Sequence, residues 1–242
     1  MKVRVSGHTD VGLKRTNNQD YFIVDEALNL FILADGMGGH LGGEVASQIA
    51  SETIQTVIKE NTKKNQPLLP HDVLQSAYSH ACQAVYTRSQ DDSKLKGMGT
   101  TAVSVFFYEN KIYVANVGDS RCYLIHPPYI WQMTEDHSLL NEQIRAGLVK
   151  PELAQLFTAR NVITRSVGFE ETVMADIIER EIANGDYYLL CSDGLSGLVP
   201  DRRICDVCLT LPFDQVGPRL IEEAKHNGGD DNITVILLQA SL

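Results

Sequence analysis

The sequence predicts an α+β fold built in layers, and three observations carry that expectation. β-rich segments occur in runs and amphipathic helical segments in pairs, not in the strand-by-strand alternation of a doubly wound sheet. Of 242 residues, 43% are hydrophobic and 21% charged, enough apolar material for a sizeable core. Several apolar strands end at an acid beside glycine, which places chemistry at strand ends.

Taken in order, Val3 to Val5 alternates and reads as a strand. Tyr21 to Val24 and Leu30 to Ala34 follow as strands, joined by a turn at Glu26 to Asn29. Glu44 to Lys59 carries an apolar stripe through Val45, Ile49, Ile54, Val57 and Ile58, the helical period. A polar, proline-containing loop leads to a second amphipathic helix, Asp72 to Ser89. Thr101 to Tyr108, Lys111 to Val117 and Arg121 to His126 are strands, the first two joined by a hairpin turn at Glu109-Asn110. Ser138 to Arg160 reads as short helices broken at Lys150-Pro151. Strands at Ala175 to Glu181 and Tyr187 to Cys191, helices at Asp201 to Leu209 and Phe213 to His226, and a strand at Asn232 to Gln239 complete the chain. The lone Trp131 reads as core.

The net charge of −10 argues against nucleic-acid binding. No secretory h-region opens the chain, and no stretch approaches the roughly 18 apolar residues of a membrane span. A cytoplasmic, monomeric protein without membrane contact is expected. Five cysteines do not suggest a disulfide framework. Cys205 and Cys208 form a C-x-x-C pair, but their context reads as a helix, and no second pair supplies the other zinc ligands.

The chemistry gathers around FILADGMGGHLGGEVAS. Phe31 to Ala34 run straight into Asp35, and five glycines follow in the next eight residues. The pattern returns at Gly118-Asp119, Ser192-Asp193-Gly194 and Gly229-Asp230-Asp231, each at a strand end, and Asp20 opens another strand. An ionised carboxylate at the edge of a core is costly unless paired. Lys and Arg are not interleaved here in matching number, whereas hard divalent cations prefer several oxygen ligands. Convergence of these ends makes a two-metal site, with ions about 4 Å apart that activate water. A single Asp-Gly is ordinarily a turn; the repetition at strand ends is what points to a metal site. The glycine loop lacks the third glycine of G-x-G-x-x-G and the Gly-Lys-Ser/Thr of a P-loop.

The ordered set Arg15-x-x-Asn18-Gln19-Asp20, Asp35-Gly36-Met37-Gly38-Gly39-His40, Met98-Gly99-Thr100-Thr101, Gly118-Asp119-Ser120-Arg121, Asp136-His137, Ile163-Thr164-Arg165, Ser192-Asp193-Gly194-Leu195 and Gly229-Asp230-Asp231-Asn232-Ile233-Thr234 resembles the bacterial PP2C-type (PPM family) metal-dependent protein serine/threonine phosphatases. The likeness runs from about Gly7 to Leu238.

That resemblance implies a central β-sandwich of two sheets flanked by helix pairs, in α-β-β-α layers. It implies one phosphatase domain over 1–242 with a small helical flap at about 138–168. Asp35 would bridge two Mn²⁺ or Mg²⁺ ions, and the Gly36 carbonyl would reach the second. Asp193 and Asp231 would hold the first ion, and Asp119, sharing Asp193, a third and weaker one. Asp20, with Gln19, would support the metal waters from behind, and Asn232 would orient its neighbours. Arg15 would grip the phosphate with its planar fork. A water bridging the two ions would attack phosphorus in phosphoserine or phosphothreonine proteins.

Two departures from the family pattern stand out. Met37 replaces the histidine that many eukaryotic members use as the proposed acid, leaving His40 to donate to the leaving group or to steady the glycine loop. In the flap, Phe157-Thr158 stands where many bacterial relatives have His-Pro. His137 and the remaining histidines read as structural or surface residues. A phosphoprotein-binding module that has lost activity, or a hydrolase of small phosphate esters, are the competing readings; the first would be expected to have lost metal aspartates, and these are present.

Overall fold

The computed structural model describes residues 2–38, 42–64, 67–156 and 162–241. One sheet runs in the order β1-β11-β10-β7-β8: β1 is Lys2–Asp10, β7 Arg121–His126, β8 Tyr129–Gln132, β10 Tyr187–Cys191 and β11 Ile233–Ser241. The other runs β2-β3-β5-β6-β9: β2 is Asp20–Asp25, β3 Leu30–Met37, β5 Ala102–Tyr108, β6 Lys111–Val117 and β9 Asp176–Glu181. The two-residue β4, Gly99–Thr100, pairs with the end of β3. Neighbouring strands pair antiparallel throughout.

The apolar run before Asp35 now has a physical reason. Leu30 and Ile32 face α1 (Gly42–Thr62) and α2 (Pro70–Asp91). Phe31 and Leu33 face the other sheet. A strand covered on both faces has no side to give to polar residues. β11 does the same: Ile233, Val235 and Leu237 pack under α5 (Asp201–Thr210) and α6 (Phe213–His226), while Ile236 and Leu238 point between the sheets. The expected α-β-β-α layering is therefore present. Aromatic contacts fill the middle, from Phe31 to Phe107 within one sheet at 6.1 Å and from Phe107 across to Tyr188 of the other at 5.8 Å.

Some elements differ from expectation. β1 is longer than Val3 to Val5, because it pairs along the whole of β11. The stretch expected as short helices contains α3, Leu139–Arg145, and a 3₁₀ helix over Pro151–Leu156. Phe157-Thr158 lies outside the described residues, as does His40. The four-residue α4, Asp193–Ser196, is too short to leave a period in the sequence. Trp131 is not core: it is 48% exposed on edge strand β8, beside Tyr129 at 5.6 Å. An edge strand has only one neighbour to cover it. Cys205 and Cys208 are buried free thiols on α5, packed toward the sheet. No described helix is long and apolar enough to cross a membrane.

Candidate metal centre

Asp35 sits near the end of β3, directly opposite Asp20 on β2. Its backbone is pinned by the Thr100-Thr101 corner. The Asp35 N–H donates to Thr101 Oγ1 at 3.0 Å, and the Asp35 carbonyl accepts from the Thr101 N–H and Thr100 Oγ1, each at 2.8 Å. Asp119 follows β6, the first residue after Gly118. Asp193 opens α4 just beyond β10. Asp231 lies in the loop before β11, where its Oδ1 accepts from the Asn232 N–H at 2.8 Å.

These strand ends meet at one cavity of about 570 Å³, lined by Arg15, Asp35, Gly36, Asp119, Asp193 and Asp231 together with Gln19 and Ile163. A neighbouring cavity of about 220 Å³ shares Asp119, Asp193 and Asp231 and reaches Arg121 and Asp136. Asp20 stands behind the cavity wall, its Oδ2 accepting from Ser192 Oγ at 2.9 Å and Thr234 Oγ1 at 2.6 Å. Asn232 ties the N-terminal segment to this floor: its Oδ1 accepts from the Gln19 N–H at 2.7 Å, and its Nδ2 donates to the Val11 and Asn17 carbonyls. Arg15 donates to Asp231 Oδ2 at 2.6 Å.

The carboxylates stand in one another's field. Burial pushes Asp35 well above the usual carboxylate range, and Asp20, Asp193, Asp119 and Asp231 push it further. Asp119 is raised to about 7, first by burial, then by Asp193 and Asp136. Asp193 is raised by burial and by Asp231. Asp20 is raised to about 7 by burial, against the lowering effect of its two hydroxyl donors. Among the described residues, no three of these side chains close into a preformed ligand cluster; they face one another across the cavity instead. Among the described residues, the buried Oδ1 atoms of Asp20 and Asp193 have no hydrogen-bond partner. Desolvated carboxylate oxygens without a partner fit a hard divalent cation, which takes carboxylate and carbonyl oxygens.

The residue pattern has known counterparts. The model of the family described as Protein phosphatase 2C matches residues 25–233. The chain belongs to the protein phosphatase 2C family of serine/threonine phosphatases. Protein phosphatase PhpP of Streptococcus pneumoniae is 35% identical over 245 residues, spanning 98% of this chain and 97% of that one. The crystal structure of the Mycobacterium tuberculosis serine/threonine phosphatase PstP/Ppp superposes with a TM-score of 0.92 at 33% identity, covering 100% of both chains. The catalytic domain of PstP in complex with two manganese ions superposes at 0.87, with 33% identity and coverage of 98% and 97%.

For this PP2C-type phosphatase, the structure brings Arg15, Asp35, Gly36, Asp119, Asp193 and Asp231 to one cavity and places Asp20 behind it. Sequence reasoning did not single out Ser192 or Thr234 as the donors under Asp20. Their signal was a hydroxyl residue beside each acidic motif, in Ser192-Asp193 and Asn232-Ile233-Thr234. Arg121 holds Asp136 through three hydrogen bonds, which keeps a cation at the rim of the second cavity.

Proposed function

We propose that this phosphatase hydrolyses phosphoserine and phosphothreonine in proteins with two divalent cations, Mn²⁺ or Mg²⁺, and room for a third. The observation that carries this is the set of carboxylates on one cavity, with the buried Oδ1 of Asp193 partnerless among the described residues. Bound there, the cations would supply Lewis-acid activation of water and would screen the phosphate charge.

The chain's own residues do the rest. Asp35 and the Gly36 carbonyl would help hold the ions at this cavity. Asp193 and Asp231 would hold one ion, and Asp119 with Asp193 would serve a third. Asp20 receives protons or water hydrogen bonds from behind. Arg15, on the cavity rim, swings from Asp231 to the phosphoryl oxygens and fixes them with two parallel donors. His40 is the nearest imidazole in sequence to serve the leaving serine or threonine oxygen with a proton. We read residues 1–242 as one phosphatase domain, with a flap over about 138–168 that includes Ile163, which lines the cavity.

Hydrolysis of a phosphothreonine peptide is the test, run with Mn²⁺, with EDTA, and with Asp193→Ala plus Mn²⁺. Activity that requires Mn²⁺ and collapses in the variant is expected. Folded wild type that is inactive with Mn²⁺ on several phosphopeptides overturns the reading in favour of a binding module. Turnover of small phosphate esters but not phosphopeptides overturns the substrate class alone.

A further inference from the structure

His137 touches neither cavity, yet it holds the backbone beside Asp119 from two sides. Gly118 donates its N–H to His137 Nδ1 at 3.0 Å, and Gly118 accepts at its carbonyl from the His137 N–H, also at 3.0 Å. An Nδ1 that accepts leaves the ring proton on Nε2. That nitrogen donates to Asp176 Oδ2 at 3.2 Å. Asp176 is itself held by Arg165, whose guanidinium donates to Oδ1 at 2.6 Å. The ring is 7% exposed, so it has little freedom to find water instead.

Gly118 needs such a hold. Its φ of +106° is one that side-chain-bearing residues avoid, and a Cβ there would come within 2.6 Å of Thr101. The turn that aims Asp119 therefore has no side chain of its own to lock it. The His137 carbonyl also accepts from the Thr164 N–H at 2.9 Å, so the same residue also anchors the backbone at Thr164.

We propose that His137 is a positioning residue for Asp119: its imidazole, oriented by Asp176, locks the Gly118 turn so that the Asp119 carboxylate is presented to a divalent cation. This rests on the phosphatase reading for the identity of the cation. The ring does two separable jobs, and two amides separate them. Asn at 137 keeps an acceptor near the Nδ1 position. Gln keeps a donor near Nε2 but offers no acceptor to Gly118.

The experiment is calorimetric Mn²⁺ titration of the full chain, with Asp119→Ala marking the binding step that depends on Asp119. His137→Gln is expected to weaken that step by about tenfold or more, and His137→Asn by no more than about twofold, the former being usual when a residue that orients a metal ligand is lost. Asp176→Ala, at a half-exposed side chain, frees the ring without touching Gly118 and is expected to weaken the same step. Thermal melts run alongside separate this from stability. If His137→Gln and His137→Asn melt lower together while their Mn²⁺ affinities stay equal, the role is structural and the proposal is overturned. Unchanged Mn²⁺ affinity in Asp176→Ala and both His137 variants overturns it as well. A wild type that binds Mn²⁺ but cleaves no phosphopeptide overturns the phosphatase reading alone.

Discussion

Thr234 Oγ1 donates to Asp20 Oδ2 at 2.6 Å, and through that bond β11 of one sheet holds a buried carboxylate at the start of β2 in the other. The bond only partly offsets the cost of burying this carboxylate in the metal-free protein. Asp20 is raised from 3.8 to about 7, chiefly by burial and further by Asp193 and Asp231. A carboxyl with a folded value above its unfolded one binds more protons when folded. Its contribution is complete below about pH 4 and is lost as pH rises through about 7. Wild type stripped with EDTA should therefore melt at falling temperatures between about pH 5 and about pH 8. His137, held low by burial, works in the opposite direction and is left unchanged in the comparison. Asp20→Asn should remove part of the slope, by on the order of 1–2 kcal/mol at the alkaline end, and should reduce the stabilisation that added Mn²⁺ brings. Equal slopes for the two proteins in EDTA would show that Asp20 does not carry this charge.

Gly36 is the second prediction. A Cβ on this residue would lie 2.0 Å from the Gly43 carbonyl oxygen and 2.8 Å from that of Gln19, both backbone atoms that cannot rotate away. The end of β3 and the start of α1 meet there with room only for hydrogen. Gly36→Ala should lower stability by about 3 kcal/mol or more, because the two elements must part. Gly185→Ala is the control: its φ is +91°, but nothing lies within 4 Å of the added Cβ. That change should cost only the backbone strain of about 1–2 kcal/mol. Urea midpoints of the two variants, compared with wild type, give the answer; similar losses would mean that space at Gly36 is not limiting.

Much of this was legible in the sequence, for a reason that also sets its limit. Leu30 to Ala34 could be read as a buried strand, and Asp35 as an acid it delivers, because strand burial is a local pattern. The meeting of Asp35 with Asp193 and Asp231 is not local. It depends on β2 and β3 pairing in the register that sets Asp20 opposite Asp35, and on two sheets stacking so that β10 and β11 end at the same place. Spacing along the chain carries none of that; only the likeness to a known family supplied it. Short elements were lost for a different reason. β8 follows Pro127-Pro128 and has four residues, and α4 has four, too few for either period to show. Trp131 was misplaced because an aromatic residue on an edge strand has the composition of core without its neighbours. His137 was read as structural, since no sequence pattern says that its ring meets Gly118.

Tyr78 tests the scaffold apart from the chemistry. Its hydroxyl is buried where α2 crosses β5 and β6, 2.9 Å from the Ala115 carbonyl, 3.0 Å from Ser104 Oγ and 3.3 Å from the Ala102 carbonyl. Burial drives its ionisation far above the ordinary tyrosine range, so it stays a neutral donor. Tyr78→Phe keeps the ring and removes the donor, leaving buried acceptors less satisfied. A loss of about 1–3 kcal/mol is expected by chemical denaturation. Mn²⁺-dependent turnover of the folded variant should match wild type. A drop in turnover without a drop in stability would mean that this helix contact reaches the cavity.

Arg15 separates charge from geometry at the substrate. Its guanidinium donates to Asp231 at 2.6 Å and lines the same cavity as Asp35 and Asp193. Lysine at that position keeps the positive charge and loses the planar pair of donors that matches a phosphoryl group. If Arg15 fixes the phosphate, Arg15→Lys should lower kcat/KM on a phosphothreonine peptide by about tenfold, the scale of one charge-assisted hydrogen bond, and Arg15→Ala by more. Mn²⁺ affinity should not fall in either variant, because the cation competes with Arg15 for Asp231. The two readouts move apart only under this assignment. Weaker Mn²⁺ binding with unchanged kcat/KM at saturating metal would instead make Arg15 a support for Asp231, and the phosphate would need another partner.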